Sequence, residues 1–365
     1  MKFIGIDLHS NCFTVFIICG NGKKVKESYS LDDDSIRRFG KKLDKGSYVM
    51  LEASTNSFKF AELIKPLAKE VIIANPYKLK LISMTNKKTD HVDAEKLAIY
   101  LKMQVVSKEK LINPVYIPEQ NIQELRSLFC TYKLLRKHIG ATKNRIHSVL
   151  RQNLHPFTKQ FIFGKKNRSQ ILNLELEPGI KFQLKFLFCE LEHMENSIQE
   201  IEDRIHIVGS NYMREIDILT SMKGISVFTA IAIIADIATV KRFPNSKHFT
   251  SYLRSAPGVD SSNETTHITK TNKIGRKLSI TLIAQSLNHF RDNNAKLNRW
   301  YNKKVENKSR GKVRMALCRR VFAEIYQMLK KGEYHYYRNE LNHAGKMNEY
   351  CKFLDANGIK YKKSA

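Results

Sequence analysis

Phe3-Ile4-Gly5-Ile6-Asp7 is followed, after a polar gap, by Cys12-Phe13-Thr14-Val15-Phe16-Ile17-Ile18-Cys19, then by Asn21-Gly22 and by Lys23-Lys24-Val25-Lys26-Glu27-Ser28-Tyr29. The first run reads as a short apolar strand that ends in an acid. The second is a longer apolar strand, and Asn-Gly is the pair that closes a tight hairpin. The third run alternates, as a half-buried strand does. Three antiparallel strands are therefore expected at the start of the chain. Beyond them, Asp32-Asp33-Asp34-Ser35 caps a helix reaching about Leu43, and these acids are better explained as caps than as a site. Ser47 to Leu51 is a fourth strand with Glu52 at its end. Ser57 to Ala68 is a helix, and Val71 to Ala74 is a fifth strand closed by Asn75-Pro76.

Three antiparallel strands followed by alternating helix and strand is the order of a ribonuclease-H-like core. In that topology the ends of the first and fourth strands lie side by side, which brings Asp7 next to Glu52. A later stretch, Lys88-Thr89-Asp90-His91-Val92-Asp93-Ala94, opens a helix with two more carboxylates. Residues i and i+3 share a helix face, so Asp90 and Asp93 can address one object. Alone the pair is an acidic first turn of the kind that complements a helix dipole. With Asp7 and Glu52 it becomes a set of four acids suited to two Mg²⁺ ions ~3.5–4 Å apart, with Mn²⁺ as a substitute, clamping a phosphodiester. Without cations, four crowded carboxylates would repel one another. Actin-like sugar kinases open with the same strands and a similar Gly-Ile-Asp, but no second glycine-rich phosphate loop follows. Lys87 and Lys88 precede the acidic pair and could steer a phosphate backbone toward it, or form part of a solvated basic loop.

The 365 residues suffice for two or more domains, and 63 Lys and Arg against 35 Asp and Glu leave a net charge of +28. Such an excess points to a polyanion, with nucleic acid first. No long apolar run or basic amphipathic anchor supports a membrane partner, and the N-terminus is too poor in apolar residues for a signal peptide. The six cysteines form no CxxC pair, as expected of reduced thiols, and the histidines show no HExxH spacing. A cytoplasmic, nucleoid-associated protein of a prokaryote is the expectation.

From Ile122 the apolar positions Leu125, Phe129, Tyr132, Leu135, Ile139, Ile146 and Val149 run close to a heptad seam. A basic face lies among them, with Lys133, Arg136, Lys137, Lys143 and Arg145 as candidate nucleic-acid contacts and Arg126 nearby. A second seam, Leu184, Leu187, Leu191, Met194, Ile198, Ile201, Ile205 and Val208, alternates spacings of three and four. A coiled coil that joins subunits is favoured, and an intrachain hairpin explains the pattern nearly as well. Leu219 to Ala238, turning at Gly224-Ile225-Ser226, is similar to a helix-hairpin-helix, whose second helix could offer its N–H groups to phosphate. Pro257-Gly258-Val259-Asp260-Ser261-Ser262-Asn263 then reads as a loop, followed by the basic residues Lys270, Lys273, Arg276 and Lys277. From this chemistry alone the serines are turn formers. Residues 278–330 read as helices, and the Tyr-rich basic tail from Lys331 as peripheral.

Gly5-Ile6-Asp7, Leu51-Glu52-Ala53-Ser54, Lys88 to Ala98, Gly224-Ile225, Tyr252-Leu253, Pro257-Gly258 and His267-Ile268-Thr269-Lys270 occur in this order. Together they resemble the DEDD insertion-sequence transposases, the serine-dependent recombinases whose element encodes a bridge RNA. The resemblance implies a RuvC-like metal site at Asp7, Glu52, Asp90 and Asp93, and a serine that becomes covalently linked to DNA. It implies a dimer or tetramer whose active sites draw on more than one subunit, and DNA (element ends and target) and a guide RNA as partners. The family pattern has Ser-Gly where this chain has Ser261-Ser262-Asn263, so the role passes to Ser262, with Ser261 as the alternative. The expected organisation is an N-terminal RuvC-like domain at 1–112, a coiled-coil region at 119–212, a mainly helical transposase domain at 213–330 and a tail at 331–365. A Holliday-junction-type nuclease using only the acids, and a catalytically inactive nucleic-acid-binding protein, are the competing readings.

Overall fold

The computed structural model describes residues 1–76, 79, 90–109, 111–112, 114–262, 265–271, 275–292 and 294–362; the side chains of residues 90, 91, 165, 259–262 and 265–271 lie outside the description. Lys87, Lys88 and Lys273 fall outside it altogether. The chain divides into two compact units, Met1–Ile117 and Pro118–Ala365.

The first unit is a mixed five-stranded sheet in the order β3-β2-β1-β4-β5. The strands are β1 (Lys2–Leu8), β2 (Cys12–Cys19), β3 (Lys24–Ser30), β4 (Ser47–Glu52) and β5 (Glu70–Ala74). β1 pairs antiparallel with β2 and parallel with β4, and β4 pairs parallel with β5. This is the arrangement expected from sequence, and it is compatible with a ribonuclease-H-like DEDD domain. Side chains alternate across each strand, and the two faces have separate cores. Ile4, Ile6, Leu8, Val49 and Leu51 pack beneath helices α1 (Asp33–Gly40) and α2 (Ser57–Ile64) with Phe13, Phe39 and Phe60. Phe3, Tyr48, Met50 and Ile72 pack on the other face against helix α3 (Asp90–Ser107), through Ala94, Leu97, Ala98 and Leu101. Asp32 caps α1 by accepting from the Ser35 amide at 2.8 Å, as its position suggested.

Gly5 sets how closely α3 approaches the sheet. A Cβ there would lie 2.0 Å from the Ala94 carbonyl oxygen and 2.5 Å from the Ala98 nitrogen. The contacts are backbone atoms that no rotamer can move aside, so α3 rests directly on β1 only because residue 5 lacks a side chain. Gly5→Ala is therefore expected to destabilise the first unit by at least the ~1–3 kcal/mol typical of overpacking, seen as a lowered calorimetric melting transition.

The second unit is mainly helical. Two long helices, α4 (Gln120–Gln152) and α5 (Pro178–Gly209), pack side by side. Their seams close on each other within one chain: Ile139, Ile146, Val149 and Leu150 pack with Leu184, Phe188, Leu191 and Ile198. The other end of the pair, with Ile122, Leu125, Phe129, Ile205 and Val208, belongs to the core that contains the C-terminal helices. The intrachain hairpin is thus what the seams build, and their apolar stripe is spent there. Helix α6 (Met213–Thr220) leads through Gly224, at φ +103°, into α7 (Val227–Ile237). Ser226 caps α7 by accepting from the Thr229 amide, and Thr229 to Ile237 are buried, so α7 is a central core helix. Helix α8 (Ser246–Tyr252) follows.

Two expectations change here. The segment read as a serine loop is a β-hairpin, with β6 (Pro257–Ser262) antiparallel to β7 (Thr265–Thr271) and Ser262 opposite Thr265. The β-branched run Thr265-Thr266-His267-Ile268-Thr269 supplies strand propensity that outweighs the Pro-Gly-Ser signals before it. The tail is not peripheral either. After α9 (Leu278–Gln285), α10 (Leu287–Asp292), α11 (Ala295–Asn307) and α12 (Arg310–Lys331), helix α13 (Glu340–Ala356) returns Tyr350 and Leu354 into the main core. Its His343 contacts Asp217 Oδ1 at 2.9 Å, and Lys346 donates to the carbonyls of Thr220 and Ile225. All six cysteines are free thiols, and burial pushes that of Cys318 up to about 11.

Candidate nucleic-acid-processing site

Asp7, the last residue but one of β1, and Glu52, the last of β4, sit near the ends of neighbouring parallel strands. Ile6 is in register with Leu51, so the two acids occupy the next step on each strand. Alternation places Asp7 on the face of Phe3 and Gly5, and Glu52 on the face of Tyr48 and Met50, the face that α3 covers. Helix α3 begins at Asp90, and Asp93 immediately precedes the Ala94 that meets Gly5. One face at one end of the sheet thus carries Asp7 and Glu52, and α3 rests on β1 through Ala94 and Ala98, just after Asp93. Asp93 is half-exposed and lies 3.5 Å from Lys96 Nζ. The Asp90 backbone starts the helix; its side chain lies outside the described residues.

His9, which sequence reasoning passed over, has Nε2 3.1 Å from Asp7 Oδ2. The signal was available: two residues beyond Asp7, it follows the strand's own repeat. The loops behind the two acids also meet, since Asn56 Nδ2 lies 3.5 Å from the His9 carbonyl oxygen. All four expected donors are hard carboxylate oxygens, the type that divalent magnesium prefers. Among the described residues, no three acidic, histidine or cysteine side chains are already gathered as a metal-binding group.

The second unit holds the serines. Ser261 and Ser262 lie at the far end of β6, opposite Thr266 and Thr265. Their side chains, and that of Lys270, are outside the description. The root of the hairpin is firmly built. Gly275, at φ +116°, approaches Tyr252 so closely that a Cβ would lie 2.1 Å from its carbonyl oxygen. Arg276 N–H donates to that same carbonyl, and Arg254 Nε donates to the Gly275 carbonyl at 2.6 Å.

Asp236, buried at the end of α7, anchors this root. It accepts from Arg276 Nε at 3.2 Å, from the Ser279 amide at 2.8 Å and from Ser279 Oγ at 2.7 Å, so it caps α9 while holding Arg276. Arg126 donates to the Ala235 and Asp236 carbonyls and closes the C-terminus of α7. Burial, with Arg276 and Arg242 nearby, draws Arg126 down to about 10, so it stays charged at neutral pH. Asp236→Ala should cost about 3 kcal/mol in a denaturant titration, the low end for a broken buried pair because Arg276 keeps access to water.

The expected basic contacts divide. Lys133, Arg136, Lys137, Arg145 and Lys277 are exposed. Lys143 instead bonds Glu195 Oε1 at 2.9 Å, and Arg168 bonds Oε2 at 2.6 Å. Burial pushes the Glu195 carboxyl up, but its bonds to Arg168 and Lys143 prevail and hold it below the usual carboxylate range. Arg276 is committed to Asp236.

The order of these elements is shared with known proteins. Residues 4–155 match the family model of a DEDD-type IS110 transposase, and residues 216–300 match the model described as Transposase IS116/IS110/IS902 family. The two matches fall in sequence order and between them take in most of the chain. The chain belongs to the DEDD-type IS110-family transposases. A search among curated proteins finds no match. The first match carries the acid-bearing sheet and α3; the second carries Asp236, the serine hairpin and its root. As a transposase of this family the chain acts on DNA, and among the described residues no helix is long and apolar enough to cross a membrane.

Proposed function

We propose that this transposase cleaves and rejoins DNA strands through a covalent serine–DNA linkage, with Asp7, Glu52, Asp90 and Asp93 holding divalent magnesium and a guide RNA choosing the sites. The observation that carries the reading is the placement of Asp7 and Glu52 on the α3 face, at the adjacent ends of β1 and β4, with Asp93 on the helix that Gly5 seats there. When bound, the cations supply Lewis-acid polarisation of the scissile phosphate and lower the pKa of the attacking hydroxyl.

The chain's own residues do the rest. Ser262 Oγ gives up its proton and forms a bond to phosphorus as the bond to the departing sugar oxygen breaks, and that oxygen takes up a proton, so no net proton is gained or lost. One phosphodiester replaces another, so the strand can later be rejoined without ATP. A hairpin whose root is held by Gly275, Arg276 and Asp236 carries the serine. Exposed Lys133, Arg136, Lys137 and Arg145 on α4 attract phosphate backbones without reading bases, which suits a division in which RNA pairing supplies sequence. Phe182 and Phe186, one turn apart on α5, are exposed and offer a surface to a second copy of the chain. Such an assembly would let the serine of one subunit work with the acids of another.

Asn263 stands where the family pattern has glycine, and this favours a second reading in which the acids direct hydrolysis and the serine is a bystander. The test is a strand-cleavage assay with element-end DNA and the flanking transcript, with Mg²⁺ or with EDTA. Cleavage that needs both magnesium and transcript supports the proposal. Cleavage that is indifferent to EDTA contradicts the metal site, and cleavage that is indifferent to the transcript contradicts the guide.

A further inference from the structure

The turn between α12 and α13 lies outside both regions matched by the transposase models. Gly332, at φ +74°, ends α12. Two residues of the turn are then tied by hydrogen bonds to the C-terminal end of α6. The Tyr334 hydroxyl donates to Asp217 Oδ2 at 2.7 Å, and the His335 amide donates to Ser221 Oγ at 2.9 Å. With these anchors in place, the next two side chains face solvent: Tyr336 is 90% exposed and Tyr337 51%. Their rings meet edge to face at 5.0 Å. Adjacent aromatic rings on a well-anchored turn, left in water, form a surface that gains by being covered.

The two tyrosines wall an open groove of about 510 Å³ against α12. That volume lies within the ~300–1,000 Å³ typical of ligand sites. Its polar groups differ in kind. Arg320 lies with its guanidinium 4.0 Å over the Trp300 ring, which orients it in advance. Glu324 and Gln327 present a carboxylate and an amide on the same helix, with Glu324 Oε2 3.4 Å from His335 Nε2 and its other oxygen left to meet a ligand. A carboxylate would repel a phosphate placed at the centre, but it accepts readily from the amino or ring N–H edge of a base such as cytosine or guanine. Stacking rings, an edge-reading acid and amide, and one cation toward the rim together fit a nucleotide with its base inside and its phosphate outside. The net charge of +28 favours a nucleotide that is part of a strand.

We infer that the Tyr336–Tyr337 groove captures an unpaired base of a single-stranded segment, by stacking on one of the two tyrosine rings, with Glu324 and Gln327 at its edge and Arg320 on its phosphate. A paired base cannot enter, because both its faces are stacked and its edge is occupied, so the groove would distinguish open strands from duplex. The inference rests on the reading of this chain as a nucleic-acid-processing protein.

The full chain would be photo-cross-linked, at salt high enough to suppress backbone attraction, to a short single strand of about ten nucleotides carrying 5-iodocytosine. The expected adduct maps to Tyr336 or Tyr337. Replacing both by alanine should weaken single-strand binding about tenfold or more and leave duplex binding unchanged, whereas Tyr336→Phe should bind as the unaltered chain does. Trp300, the only tryptophan, should change its emission on binding, since Arg320 rests on it. Adducts found only elsewhere, or full single-strand affinity in the double alanine variant, would overturn the groove. So would free cytidine monophosphate binding as tightly as the strand. A chain that binds duplex but gives no adduct here sinks the groove alone; one that binds no nucleic acid sinks the proposed function as well.

Discussion

Asp7→Asn and Glu52→Gln are each expected to reduce DNA strand cleavage by at least about a thousand-fold while the protein remains folded. The size follows from the chemistry. A cation that polarises a phosphate contributes several kcal/mol to the transition state, and each 1.36 kcal/mol is one decade in rate. The preserved fold follows from the position of the acids. Asp7 is partly exposed at the end of β1, and its amide counterpart can keep a hydrogen bond to His9. Removing one charge from a sheet face that also carries Glu52 can only relieve repulsion, so the melting transition should be unchanged or slightly raised. Single-turnover cleavage read beside a thermal melt separates the two effects. A variant that melts normally and cleaves normally would contradict the acidic site. Asp93→Asn should behave in the same way, with the added loss of its contact to Lys96.

Ser262→Ala carries the second large effect. The serine reading predicts complete loss of any protein–DNA adduct and of strand exchange, a drop on the order of 10⁴-fold or more, as when a covalent nucleophile is removed elsewhere. Ser261→Ala should leave the adduct in place. If Ser262→Ala continues to cut at the normal rate, the chain is a hydrolase. If the adduct survives in Ser262→Ala and vanishes in Ser261→Ala, the nucleophile is the neighbour.

The strand order was readable because each strand of the first unit has a distinct pattern. β2 is apolar throughout, β3 alternates, and Asn21-Gly22 joins them. The neighbouring positions of Asp7 and Glu52 were readable because each closes an apolar run, which marks the end of a strand. Gly5 gave only half its meaning: it stood in a Gly-Ile-Asp run, but the approach of Ala94 and Ala98 that demands it joins residues about ninety positions apart. Long-range pairs hid the rest. Asp236 reads as one polar residue in an apolar helix until Arg276 and Ser279 fold onto it. The hairpin of β6 and β7 was masked by Pro257, Gly258 and the serines, each a turn former in isolation. α13 carries its buried residues Tyr350 and Leu354 among Lys, Glu and Asn, too sparse a stripe to announce a core helix. Tyr336 and Tyr337 stand out only once Tyr334 and His335 are seen to be tied down.

The heptad seams show how one pattern serves two structures. Leu184, Leu191 and Ile198 at coiled-coil spacing satisfy an intermolecular or an intramolecular partner equally, and the chain spends them on α4. A second copy would have to use what remains outside the seam, such as Phe182 and Phe186.

The most direct measurement of the central claim is adduct trapping on the unaltered chain. Labelled element-end DNA, Mg²⁺ and the flanking transcript would be incubated with the protein, denatured, and digested for peptide mapping. The account predicts a denaturation-resistant DNA label on the peptide that contains Ser262, absent when EDTA is added. Efficient magnesium-dependent cutting with no label on any serine peptide would contradict it.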